Sequence, residues 1–249
     1  MSAARTFAIG DIHGCVDEVE RLLDALRLSA DDTVCFLGDY VDRGPASRAV
    51  IERLIRLRGE GPTCIFLKGN HEDMFLAFLG HEGRYGDAFI ANGGGATLAS
   101  YGLDGLSGAE VAQRLPPSHR EFLLALRAQS PLGTEFLGVH AGLRPTRRLE
   151  DQTDEDRLWI REEFISHPHP FPYTVLYGHT PRRDVGWDLP FKIGLDTGLV
   201  YGNRLSCLDI ASQALWQIER GATHAEHRSV AHVFSSARLG LLDMPDPAH

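Results

Sequence analysis

The 249-residue chain is 43% hydrophobic and 24% charged, an ordinary globular composition that suits one substantial α/β domain and is marginal for two. Its net charge of −9 argues against generic nucleic-acid binding, which uses a basic surface, and no apolar run approaches the length needed to cross a bilayer. Met1 to Arg5 passes directly into a strand pattern, so no secretory leader is expected; four scattered cysteines without a CxxC pair point to the reducing cytoplasm, with Cys35 and Cys64 as buried small hydrophobes.

In chain order, Thr6 to Ile9 reads as a first strand. Val16 to Leu28 follows as an amphipathic helix, with Val19, Leu22, Leu23 and Leu26 at helical spacing. Thr33 to Leu37 is a second strand, Ser47 to Leu57 a second helix, Cys64 to Leu67 a third strand and Glu72 to Leu79 a third helix. Asn92 to Thr97, with three consecutive glycines, reads as a flexible loop; it leads to a cap helix or cradles phosphate, though without the lysine of a P-loop. Ser118 to Ala128 is a further helix. The β pattern returns at Glu135 to Val139, Tyr173 to Tyr177 and Phe191 to Leu195. Asp156 to Phe164 is a short helix or turn between strands, and Leu205 to Ile210 with Ala214 to Ile218 forms an antiparallel hairpin. Residues beyond Gly221 show weak periodicity and receive no assignment. The chain is expected to form a single domain over residues 1–249, with residues 80–133 as a helical and loop cap. Two packed sheets with helices outside and loops gathered at one edge are implied.

Three motifs follow the first three strands: Gly10-Asp11-Ile12-His13-Gly14, Gly38-Asp39-Tyr40-Val41-Asp42-Arg43-Gly44 and Gly69-Asn70-His71-Glu72. Parallel strands joined by right-handed crossovers bring such loops to one sheet edge. Asp11 and His13, two residues apart in extended chain, point the same way and can hold one metal. Asp39 has two oxygens and can bridge two ions. Asn70 offers a carbonyl to the second ion, which His140 in His140-Ala141-Gly142 and His179 in Gly178-His179-Thr180 complete. Oxygen and imidazole ligands without thiolates suit divalent metals. Two ions about 3.5–4 Å apart can hold a hydroxide between them and grip phosphate oxygens. His71, beside Asn70, is placed to protonate a leaving oxygen, with Asp42 to orient its ring. Arg43 and Arg161 are candidate phosphate clamps, because a guanidinium bonds phosphate bidentately. Lys68 adds positive charge or is an ordinary strand-end lysine. Asp196, in Asp196-Thr197-Gly198, supports the site or forms a turn.

At these residues the chain resembles the calcineurin-like metallophosphoesterases and, within them, the phosphoprotein phosphatase family. The GDxHG, GDxVDRG and GNHE motifs, a histidine in an HxG turn and a later histidine are all matched between Gly10 and His179. The short bacterial and phage members are the nearer match. The resemblance implies an α/β fold of two packed mixed β-sheets flanked by helices, a four-layer α/β/β/α sandwich. By that resemblance Asp11, His13, Asp39, Asn70, His140 and His179 are metal ligands, His71 and Asp42 the acid pair, and Arg43 with Arg161 the phosphate-binding arginines. Two divalent ions are implied, Mn²⁺ in the purified enzyme or an iron or zinc pair in the cell.

The implied activity is phosphomonoester hydrolysis by direct attack of a metal-bridging hydroxide, with phosphoserine or phosphothreonine in proteins as the first substrate class. A symmetrical dinucleoside polyphosphate hydrolase, acting on diadenosine tetraphosphate, is the alternative. Those enzymes commonly end the third motif in aspartate, where this chain has Glu72. A catalytically inactive phospho-binding module would require a lost ligand, and none is lost. Lys68 in place of arginine and the missing eukaryotic C-terminal signature bear on substrate, not on reaction class. The expected partner is a phosphorylated protein or small phosphoester, with no nucleic acid and no membrane; the motifs carry nothing about oligomeric state.

Overall fold

Near-continuous apolar runs such as Phe7-Ala8-Ile9 and Val34-Cys35-Phe36 give the central strands two buried faces, and a sheet buried on both faces must be covered on both. The computed structural model describes residues 4–242. The chain begins with three strand–helix units: β1 (Thr6–Ile9), α1 (Val16–Leu26), β2 (Thr33–Phe36), α2 (Ser47–Arg58), β3 (Thr63–Phe66) and α3 (Asn70–Phe78). Three short helices follow, α4 (Gly95–Tyr101), α5 (Gly108–Arg114) and α6 (Pro117–Leu124). Next come β4 (Gln129–Leu132), β5 (Phe136–Val139), α7 (Asp154–Trp159), α8 (Glu162–Ile165), β6 (Thr174–Tyr177), β7 (Gly186–Asp188) and β8 (Lys192–Gly194). The described chain closes with β9 (Arg204–Asp209), β10 (Ala214–Glu219), β11 (Glu226–Ser229) and α9 (Ala231–Leu242).

The strands form two mixed sheets, in the orders β11-β10-β9-β1-β2-β3 and β4-β5-β6-β8-β7. β1, β2 and β3 are parallel and in register, Ile9 opposite Phe36 and Phe36 opposite Phe66. β5, β6 and β8 are likewise parallel. Phe7, Ile9, Val34 and Phe36 face α1 and α2 and meet Val19, Leu22, Val50 and Leu54. Their neighbours Ala8, Cys35, Leu37 and Leu67 face the second sheet and meet Leu176 and Ile193. The far side of that sheet, through Leu137, Val139 and Val175, is closed by Ile160 and Phe164. The result is helix, sheet, sheet, helix, with the C-terminal ends of six parallel strands on one edge. No helix among the described residues is long and apolar enough to cross a membrane.

Several sequence expectations are corrected. Asn92 to Thr97 is helical rather than a loop: residues 90–94 form a π-type turn, kinked at Gly93 (φ 106°), that runs into α4, and Thr97 is buried. Glycine permits the kink, and the Arg43 amide donates to the Gly93 carbonyl (3.1 Å). The helix expected over 118–128 ends at Leu124, because Arg127 pairs with the edge of β3: its amide donates to Phe66 O (3.0 Å) and its carbonyl accepts from Lys68 N (2.8 Å). Residues 156–164 contain two short helices, α7 and α8, with Arg161 between them. The unassigned region beyond Gly221 supplies an edge strand and a helix as far as Leu242; residues 243–249 lie outside the described residues.

Candidate metal centre

Each motif turns sharply where its strand ends, and the turns are made by residues that rarely adopt them. His13 (φ 45°), Asp39 (φ 53°), Asp42 (φ 71°), Arg43 (φ 66°) and His179 (φ 63°) all lie in the left-handed region. Non-glycine residues there are strained, typically by about 1–3 kcal/mol each, and persist only where the surroundings fix them. Two glycines show why the spacing of the motifs matters. A Cβ at Gly69 would overlap Asp39 Oδ1, and one at Gly178 would overlap Asp11 Oδ1, so both carboxylates lie against bare backbone.

Asp11, His13, Asp39, Asn70, His140 and His179 are all buried and come together at the sheet edge. Two groups, His13–Asp39–His71 and Asp39–His140–His179, each bring three ligand atoms within 4.8 Å of one another, and Asp39 is common to both. Its Oδ2 is 3.4 Å from His13 Nε2 and its Oδ1 3.4 Å from His140 Nε2. Asn70 Oδ1 lies 3.0 Å from His140 Nε2 and 2.9 Å from His179 Nδ1. Asp11 joins from behind, its carboxylate accepting from the His179 amide (3.0 Å).

Outer hydrogen bonds fix the tautomers of two of the imidazoles. His13 Nδ1 is 2.7 Å from Val41 O and His140 Nδ1 2.8 Å from Leu37 O. A ring nitrogen meeting a carbonyl must donate, which leaves Nε2 of each ring with its lone pair facing Asp39. Burial pushes His13 down to about 3, and lowers His140 and His179 as well, so these rings are neutral at neutral pH.

Burial would raise Asp39, but His140, His71, His13 and His179 outweigh it and hold that carboxylate low, whereas the other two acids are shifted upward. Burial first, then Asp196 and Asp39, raises Asp11 well above the usual carboxylate range, and burial pushes Asp196 up to about 6. Three buried acids beside three neutral imidazoles form a site short of positive charge. Hard divalent cations taking oxygen and nitrogen fit that donor set and would relieve the repulsion.

His71 is buried beside this group with its ring 4.7 Å from that of His13, edge to face. Its Nδ1 meets Asp42 Oδ2 at 2.6 Å. Burial opposes its protonation, but Asp39 and Asp42 outweigh this and raise its pKa. Asp42 is itself fixed: Thr97 Oγ donates to its Oδ1 (2.6 Å), while its amide donates to Thr97 Oγ (2.8 Å) and Ser47 Oγ (3.1 Å). Arg43 and Arg161 are exposed and touch opposite ends of the cluster. Arg43 Nη1 donates to His13 Nε2 (2.6 Å) and Arg161 Nε to His179 Nε2 (3.1 Å). Lys68 is taken up by Asp73 on α3 (2.9 Å). Asp196 closes its own turn, accepting from the Gly198 amide (2.9 Å).

Three residues that brace the site stand outside the candidate ligands and acid pair. Glu72 ends the third motif, and its buried carboxylate accepts from the amides of Asp39 (2.9 Å), Tyr40 (2.7 Å), Val41 (3.2 Å) and Gly69 (2.9 Å). A glutamate three residues after Gly69 and ahead of an apolar helix is a capping-box signal that was available. Ser47 and Thr97, which hold Asp42, carry no comparable signal, because their partner is remote in sequence.

A family profile described as calcineurin-like phosphoesterase matches residues 4–204. The chain belongs to that family. It is a metal-dependent phosphoric ester hydrolase, and the candidate ligand group described above stands where the fold gathers its strand ends. Among similar proteins is the asymmetrical bis(5'-nucleosyl)-tetraphosphatase PrpE of Bacillus anthracis, 28% identical over 235 residues, covering 80% of this chain and 88% of that protein. The crystal structure of a protein provisionally called a diadenosine tetraphosphatase is 26% identical, with a TM-score of 0.67 over 87% of this chain and 93% of the other. A protein serine/threonine phosphatase from Saccharomyces cerevisiae shares the fold alone, at 15% identity and a TM-score of 0.59, over 91% of this chain and 80% of that one.

Proposed function

We propose that this metallophosphoesterase hydrolyses dinucleoside polyphosphates, with Asp11, His13, Asp39, Asn70, His140 and His179 as ligands for two divalent ions, Mn²⁺ or an iron or zinc pair. The observation that carries the substrate class is the pair of exposed guanidiniums, Arg43 on His13 and Arg161 on His179, on the two sides of Asp39. One phosphomonoester fills one bidentate clamp, whereas a chain of phosphates presents oxygens to both. The relatives named as bis(5'-nucleosyl)-tetraphosphatases support the same substrate, and the asymmetrical one points to ATP and AMP as products.

When bound, the ions supply positive charge to the phosphoryl oxygens and activate water for attack. The chain's own groups do the rest. His13 and His179 would help hold the ions, and Arg43 and Arg161, which now donate to those rings, would be available to phosphate. The left-handed turn of Asp39, braced by Glu72, aims one carboxylate oxygen at each side. His71, its Nδ1 held by Asp42, offers Nε2 to protonate the departing oxygen.

A phosphoprotein substrate is the second reading, favoured by Glu72 in place of aspartate in the third motif and by the exposure of both arginines, which a phosphorylated side chain can reach. The deciding experiment compares kcat/KM on diadenosine tetraphosphate and on a phosphothreonine peptide with added Mn²⁺, with products resolved by ion-exchange chromatography. Preference for the dinucleotide with ATP and AMP formed is expected. Preference for the peptide would overturn the assignment, and two ADP would restore the symmetrical cleavage.

A further inference from the structure

Four large hydrophobic residues are exposed among the described residues: Tyr85, Ile90, Leu124 and Tyr201. Isolated exposed apolar residues need no explanation, but the two tyrosines are placed unusually. Tyr201, 61% exposed, lies beneath the Arg43 guanidinium, whose Cζ is 5.6 Å from the ring centroid. That same guanidinium reaches His13 Nε2 at 2.6 Å. Tyr201 ends a 3₁₀ turn framed by Gly198 (φ 69°) and Gly202 (φ 90°), so the backbone holds the ring out beside the arginine rather than folding it in.

Tyr85 stands at the other end, joined to it through Trp159. Its ring stands edge-to-face on Trp159 at 5.0 Å, and Trp159 lies 6.3 Å from His179, again T-shaped. The Trp159 indole Nε1 is buried without a hydrogen-bond partner. Tyr85 itself is in the left-handed region at φ 56°, an outlier for a bulky residue. Strain of this kind collects where a side chain must be presented. Thus the Arg43 end of the cluster carries an exposed aromatic ring directly beneath its arginine, and the His179 end carries one that reaches the histidine through Trp159.

Resting on the nucleotide reading above, we infer that Tyr201 and the Tyr85–Trp159 pair are two nucleobase platforms and determine specificity for nucleotides over bare phosphates. A purine ring stacks on an open tyrosine face without needing base-edge hydrogen bonds. Arg43 covers part of Tyr201 and leaves the remainder open, so a base placed there would sit beside a guanidinium that holds its own phosphate. A dinucleotide has two bases and the site has two ends.

The test is equilibrium binding by calorimetry on the Mn²⁺-loaded protein, with two non-hydrolysable probes, α,β-methylene-ADP and methylenediphosphonate. The ratio of their dissociation constants isolates what the nucleoside adds. The wild type should bind the nucleotide at least about fivefold more tightly, the lower end of what base stacking supplies. In the Tyr85→Ala/Tyr201→Ala double variant the ratio should fall to near one, and in Tyr85→Trp/Tyr201→Trp it should be kept. A wild-type ratio near one, or an unchanged ratio in the double alanine variant, overturns the inference. So does a double variant that keeps the ratio while losing KM on a phosphopeptide, which would make these rings a peptide surface. A clear ratio in an enzyme that does not cleave diadenosine tetraphosphate leaves the platforms standing and defeats the substrate assignment alone.

Discussion

Glu72 shows how a single buried side chain controls the geometry of several others. All four of its lone-pair directions are filled by backbone amides, three of them from the turn that carries Asp39 in its left-handed conformation. Glu72→Gln conserves shape but turns an NH₂ toward donors that need an acceptor. Each buried donor left unsatisfied costs about 1–3 kcal/mol, so a drop of several degrees in Tm is expected in calorimetry. Mn²⁺ stoichiometry should fall with it; a variant with wild-type Tm and full metal content would refute the bracing role. His71 is tested differently, through the leaving group. His71→Asn should reduce kcat on alkyl phosphates by about 10²–10⁴-fold, the usual worth of general acid catalysis, and much less on p-nitrophenyl phosphate. Equal losses on both would indicate that the His71–Asp42 contact serves positioning instead.

The loop between β5 and β6 shows how Arg161, a proposed phosphate clamp outside the leading motifs, is held. Thr153 caps α7, accepting from the Asp156 amide, while Asp156 Oδ2 accepts from the Thr153 amide (2.9 Å) and hydroxyl (2.8 Å). The same carboxylate binds Arg144 (2.7 Å) and Arg147 (2.6 Å). Burial alone would raise Asp156, but the Thr153 hydrogen bonds and the two guanidiniums hold it down, at about 2. An unfolded aspartate titrates near 3.9. The folded value is the lower one, so this interaction stabilises the protein above about pH 4 and is lost as pH falls from about 4 to about 2. Asp156→Asn should therefore lower Tm at pH 7, by a smaller margin at pH 3, and leave it nearly unchanged relative to wild type only at or below about pH 2. Because α7 leads through Ile160 into Arg161, the variant should also raise KM at pH 7. An equal Tm difference at pH 7 and about pH 2 would exclude the carboxylate's charge as the cause.

At the scale of the whole molecule, the two sheets and their covering helices leave a concentration of buried acid at the strand ends, with Asp11 and Asp196 pushed upward by burial and by the charge of Asp39, and Asp11 by that of Asp196 as well. Divalent ions that bind the folded state and not the unfolded chain stabilise it by mass action, about 2.7 kcal/mol at a hundredfold excess over Kd. For a chain of this length that corresponds to about 5–10 °C. Removing metal with EDTA should lower Tm by that amount, and restoring Mn²⁺ should recover it. A Tm indifferent to chelation, with metal content verified, would separate the acid cluster from metal binding.

The catalytic class and the six proposed ligands were legible in the sequence because each lies in a short motif at a strand end, where local chemistry and sheet topology suffice. Strand and helix positions followed from periodicity for the same reason, and they erred at their ends, where a competing partner decides. The β3 edge claimed Arg127 and shortened α6, and Gly93 let a glycine-rich run continue as helix. What remained hidden depends on pairs distant in the chain: Thr97 on Asp42, 55 residues apart, and Arg161 on His179 across the α8 turn. The flanking aromatics Tyr85 and Tyr201 belong to the same class, since no local pattern says which exposed tyrosine faces a metal centre. Sequence alone determined which atoms could bind metal and phosphate. Only tertiary packing decided what surrounds them, because burial, strain and third-party hydrogen bonds arise when remote segments meet.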